Sequence, residues 1–163
     1  NAVEAPSVHG FVLPTERAFD LSALLDSLLA DPVFGPLVDV DRIGAAGFSF
    51  GGYTVLATAG VTIDYEVWWD YCRLESGDAM CTVPPEADFT LADVDELRSG
   101  DAQFRAALER NRNGAFDGRI RAVFALAPAL LTRSDLSGLQ AEAAVLLADE
   151  DDQVPLEETL QAL

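Results

Sequence analysis

RIGAAGFSFGGYTVLATAGV, residues 42–61, decides how the whole chain is read. Its first half is a short apolar run ending at glycine, the pattern of a strand buried on both faces of a parallel sheet. Its second half, from Phe50 onward, is small and apolar and suits a helix packed closely under that sheet. Ser49 therefore falls at a strand-to-helix junction. Gly47-Phe48-Ser49-Phe50-Gly51 matches G-x-S-x-G, and the match has a steric logic. A serine on so sharp a turn is forced into strained backbone geometry, and residues without a side chain two before and two after it let strand and helix pass each other. Both places are glycine here, and Gly52 extends the clearance. The hydroxyl would project above the sheet at a helix start, where the positive helix end and free N–H groups favour a developing oxyanion; the Phe50 N–H is the expected donor. Other glycine-rich readings fit poorly. G-x-G-x-x-G is absent, and a chain without a single lysine cannot supply the lysine of a phosphate-binding loop. A tight turn that merely contains a hydroxyl is the remaining alternative.

Working outward, residues 1–19 read as a short apolar start and a loop carrying His9 and Pro14. Asp20 reads as an N-cap, because the sequence behind it places Leu21, Leu24, Leu25, Leu28 and Leu29 on one helical face. Pro32 should end that helix near Asp31. Residues 62–118 change character, with two tryptophans, a cysteine pair and an acidic helical segment, and read as a lid-like insertion that Asn113 and Gly114 close. Ile120–Leu126 and Ala143–Ala148 follow as further buried strands, and a last helix begins after Pro155. Alternating strands and helices predict an α/β fold, a mostly parallel sheet with helices on both faces, spanning residues 1–163 as one partial domain. Functional groups of such sheets gather at the carboxyl ends of the strands. Ser49 stands there after one strand, and the acidic run 149–152 after another.

Charge narrows the function classes. Twenty-eight acidic residues face ten basic ones, all arginine, and the net charge of −18 repels a polyanion such as nucleic acid. No stretch has the apolar length of a membrane helix. Cys72 and Cys81 are too few ligands for a structural zinc site; they suit a local disulfide, which would imply a periplasmic or secreted protein, or two free thiols in the cytoplasm. No metal or other cofactor is expected, and oligomeric state is not legible.

Residues 18–60, followed by the Trp/Cys segment and RIRAVFALAPAL, resemble the α/β-hydrolase family of predicted dienelactone hydrolases, close to bacterial relatives of platelet-activating-factor acetylhydrolase. The resemblance runs over most of residues 17–163. It implies an α/β-hydrolase fold and a Ser-Asp-His triad that hydrolyses small ester substrates, with Ser49 as nucleophile. The acid is then expected in the loop after the third strand: Asp151, four residues before Pro155, or Asp152 if the loop is counted short; both could also be plain loop carboxylates. His9 is the single histidine and precedes Ser49, whereas the triad order along such chains is Ser, Asp, His. His9 thus reads as a loop residue near the site mouth. The chain is read as an internal piece, with the base and one further strand expected after Leu163 and the second oxyanion donor before Asn1.

Smaller expectations attach to the aromatics. Phe48 could line an acyl pocket or pack in the core, and Trp68 and Trp69 could cover the site as a lid or form the insertion's own core. The leading expectation is a serine hydrolase cleaving carboxylic esters or lactones. The alternative is a catalytically incomplete scaffold of the same fold with a binding or assembly role.

Overall fold

The computed structural model describes residues 8–74, 81–83, 87–151, 154 and 156–163. The chain opens with a short helix α1 (Val8–Val12) in place of the expected loop, and α2 (Glu16–Ala30) follows. Helix α2 starts before Asp20, with Thr15 at its N-cap position. The Thr15 hydroxyl does not cap: it shares hydrogen bonds with Tyr53 OH (2.8 Å) and Tyr65 OH (3.1 Å). Asp20 lies inside the helix, where a capping-type residue projects to the surface. The end of α2 is as read, because Asp31 Oδ1 accepts the Val33 and Phe34 N–H groups and turns the chain away. The apolar stripe is narrower than expected. Leu25 is buried and Leu21 and Leu29 pack beside it, while Leu24 is 64% exposed and Leu28 is also outside. Only the i, i+4, i+8 row reaches the sheet.

Strand β1 (Ile43–Phe48) leads through Ser49 into α3 (Phe50–Thr58). After α3 come β2 (Thr62–Ile63), α4 (Tyr65–Leu74), α5 (Leu91–Gly100), α6 (Ala102–Arg112), β3 (Ile120–Leu126), β4 (Ser134–Asp135), β5 (Glu142–Leu146) and α7 (Leu156–Ala162). The β3 bounds agree with the sequence reading, and β5 ends two residues earlier than expected. Strands β1, β3 and β5 form a parallel sheet in the order β1-β3-β5, in which Phe48, Leu126 and Leu146 share one row. The small antiparallel pair β2-β4 has no counterpart in the sequence reading, since two-residue strands carry no periodicity. The protein is thus a mixed α/β chain with a mostly parallel sheet.

Two cores flank this frame. One lies between the sheet, α2 and α3, where Leu25, Val55, Leu56, Val61, Ile120, Val123 and Ala125 meet. Every residue from Gly52 to Thr58 is buried, which explains why α3 is small and apolar all round. The other core joins α1, the α4–α6 region and one side of α3: Val12, Leu13, Tyr53, Ala57, Trp68, Trp69, Val94 and Phe104. The expected acidic helix of the insertion is two helices, because Asp101 leaves α5 in extended backbone and caps α6 by accepting the Gln103 and Phe104 N–H groups.

The layering expected from the sequence is corrected as well. Among the described residues helices do not cover both faces: along β1 burial alternates, and Gly44, Ala46 and Phe48 are exposed, as are Ala122 and Phe124 on β3 and Ala144 and Leu146 on β5. The strands are apolar throughout, so their composition alone cannot reveal that only one face is packed by this chain.

A charged clamp ties α2 to the start of β3. Arg119 donates through Nε and Nη2 to both Asp117 oxygens (2.8 and 2.6 Å) and through Nη1 to Asp26 Oδ1 (2.6 Å). These bonds hold the Asp117 carboxyl down from its ordinary 3.8 to about 2. A carboxyl depressed in the folded state contributes stability above its unfolded pKa, and that contribution disappears as pH falls from about 4 to about 2. Asp117→Asn should therefore cost up to about 2 kcal/mol at pH 7 and progressively less as pH falls toward about 2. Urea melts at pH 7, 4 and 2.5 check this; an equal loss at all three would show that the ion pair is not responsible.

Candidate active site

The junction between β1 and α3 is held by backbone geometry. Ser49 has φ 54° and ψ −121°, a conformation that L-residues rarely adopt and that costs about 1–3 kcal/mol unless its surroundings impose it. Its surroundings do. The Ser49 N–H donates to Leu126 O (2.9 Å), and Ser49 O accepts from the Tyr53 N–H and the Ala129 N–H (both 3.1 Å). The glycines divide in a way the motif does not foretell. A Cβ on Gly47 would lie 2.0 Å from Gly51 O, and one on Gly52 would lie 3.0 Å from Pro128 Cα, whereas one on Gly51 would meet nothing within 4 Å. Gly47 and Gly52 are the residues that let strand, helix and neighbouring loop close together.

Ser49 makes no side-chain cap to α3, and among the described residues no other group hydrogen-bonds its hydroxyl. Tyr53 is the first residue of α3 whose N–H finds its acceptor one turn back, so among the described residues the Phe50, Gly51 and Gly52 N–H groups form the open first turn. The positive end of the helix adds to their pull on an anion. A negative charge developing beside Ser49 would therefore meet ready donors, with the Phe50 N–H nearest along the chain.

Asp151 stands on the loop after β5, at the same carboxyl edge of the sheet as Ser49 and two strands across, roughly 10 Å in strand spacing. Its Oδ1 accepts the Val154 N–H (2.9 Å). Asp152, the other acid read from the sequence, lies outside the described residues. His9 sits in α1, not in a loop, and its ring meets Phe104 of α6 edge-on at 5.2 Å. No hydrogen bond joins His9 to Ser49.

Around the junction the aromatics separate. Phe48 is 70% exposed on the open sheet face. Trp68 and Trp69 are 3% and 2% exposed, packed against each other at 5.5 Å within the core that also holds Tyr53. Both indole N–H groups are buried, with no acceptor among the described residues. The same core contains the Cys72–Cys81 disulfide, which closes the chain segment after α4. Among the described residues no group of three or more His, Cys, Asp or Glu side chains is placed to hold a metal ion, and no helix is long and apolar enough to cross a membrane.

Three features near Ser49 escape a sequence reading. The hydroxyls of Thr15, Tyr53 and Tyr65 meet in a buried cluster one turn beyond Ser49, and burial pushes both tyrosine hydroxyls to higher pKa, so they stay protonated. Arg17 lies over the Phe50 ring at 5.3 Å. The loop after β3 carries two non-glycine residues at positive φ, Ala127 (38°) and Leu130 (63°). Pro128 in ALAPAL was the one local signal of that loop.

Among known proteins, the chain is 44% identical over 46 residues to Lipase 1 of Moraxella sp. (strain TA144). The matched stretch is 28% of this chain and 14% of the lipase, so it spans far less than two thirds of that relative. No protein-family profile matches the chain, and no solved structure matches it.

Proposed function

We propose that this chain carries the nucleophile of a serine hydrolase that cleaves carboxylic esters or lactones through an acyl-enzyme. The observation that carries the reading is the backbone of Ser49: φ 54° and ψ −121° at a strand-to-helix junction, with its hydroxyl making no hydrogen bond among the described residues beside the first turn of α3. The short likeness to a lipase supports the reaction class.

In this reading Ser49 Oγ attacks the ester carbonyl carbon as its proton passes to a histidine that Asp151, or Asp152 in its place, orients. The carbonyl oxygen takes the electron pair and is held by the Phe50 N–H. Collapse of this adduct expels the alcohol, which recovers the proton, and water then releases the acid by the same steps in reverse roles. The disulfide agrees with an oxidising compartment.

One observation favours a second reading, a catalytically incomplete scaffold: the single histidine of the sequence, His9, is engaged with Phe104. Pre-steady-state hydrolysis of p-nitrophenyl esters by the intact protein separates the two. The enzyme reading expects a burst of p-nitrophenol approaching one equivalent, since acylation precedes a slower deacylation. A scaffold gives no burst and no turnover above buffer.

A further inference from the structure

Among the described residues three non-glycine positions have positive φ, Ser49, Ala127 and Leu130, and all three sit where β1 and β3 end side by side. Strain of this kind persists only where neighbouring structure imposes it, and it gathers at sites that need a fixed geometry. The hydrogen bonds show what imposes it. The β3 exit brackets Ser49 on both sides: Leu126 O accepts the Ser49 N–H, and the Ala129 N–H donates to Ser49 O. For these two groups, three residues apart, to grip the same residue, the chain between them must fold back sharply, and Ala127 at φ 38° makes that turn. Its own N–H donates to Leu146 O (2.7 Å), which ties the turn to β5, the strand that leads to Asp151. Pro128 stands so close to the first turn of α3 that a Cβ at position 52 would lie 3.0 Å from its Cα, tighter than an ordinary van der Waals contact.

We infer that Ala127 is a positioning residue: its left-handed backbone holds the Leu126–Ala129 bracket on Ser49 and so fixes where the hydroxyl and the Phe50 N–H point before substrate arrives. The inference rests on the reading of Ser49 as nucleophile. A purely structural residue would lose activity and stability together. Ala127 separates them, because relaxing its strain slackens the bracket without opening the core.

The test is the rate at which a fluorophosphonate labels Ser49 in the intact protein, with the melting temperature measured alongside. Ala127→Gly should label about tenfold more slowly, in line with the cost of small misplacements of reacting groups, with Tm unchanged or raised by about 2 °C. Ala127→Asn, which tolerates left-handed backbone, should recover a rate within about threefold of the original protein. An unchanged rate in Ala127→Gly overturns the inference while leaving Ser49 as nucleophile, and so does an Asn variant as slow as the Gly one. If the original protein is not labelled, the nucleophile reading falls, and hydrogen exchange then judges the bracket alone. Faster exchange of the Ser49 and Ala129 amides in Ala127→Gly supports the bracket, and equal exchange removes it.

Discussion

Ser49→Ala is expected to lower ester hydrolysis by about four orders of magnitude or more, because a lost nucleophile leaves only binding and oxyanion stabilisation. It should leave the fold untouched. The hydroxyl makes no hydrogen bond among the described residues, and alanine suffers the same backbone strain as serine at φ 54°, so Tm should move by less than about 2 °C. Steady-state hydrolysis of p-nitrophenyl acetate and a thermal melt check both halves. A variant that keeps most of its activity would place the chemistry elsewhere, and one that unfolds would make Ser49 structural.

The second large effect concerns stability. In Gly47→Ala the new methyl would overlap Gly51 O and its carbonyl carbon at 2.0 and 2.3 Å, both main-chain atoms. Neither side can yield easily, since α3 beyond Gly51 is buried from end to end and the Ser49 backbone is bonded on both sides. A loss of at least about 3 kcal/mol is expected, a fall of roughly 6–12 °C in Tm for a domain of this size. Gly51→Ala, with open space at its Cβ, should do the reverse: it removes a flexible residue from the first turn of a helix and should hold or gain up to about 1 kcal/mol. Chemical denaturation of the pair decides whether the glycines act through these contacts. Equal losses would mean that the motif, and not its particular packing, sets the requirement.

That pair also shows where the sequence is informative and where it stops. G-x-S-x-G between a buried-type strand and a small-residue helix is enough to place Ser49 at the junction, because the apolar runs on either side differ in composition and length. It does not tell which glycine is sterically necessary. At position 47 that depends on the Gly51 main chain folding back across the turn, and at position 52 on Pro128, which is 76 residues beyond Gly52 and reaches it through the pairing of β1 with β3. The start of α2 is misread for a similar reason: Thr15 looks like any loop threonine until its hydroxyl meets Tyr53 and Tyr65, which lie 38 and 50 residues away. Local patterns expose elements whose signal is their own periodicity, as with β3. Long-range contacts decide boundaries, the burial of Trp68 and Trp69, and the bracket on Ser49. The open face of the sheet is illegible for a further reason, since an apolar strand looks alike whether one or both of its faces are packed.

The most direct test of the central claim is covalent. A fluorophosphonate should add to the intact protein once, the adduct should map to the peptide containing Ser49, and Ser49→Ala should take up none. Labelling at another serine, or equal labelling of the Ser49→Ala variant, would contradict the account.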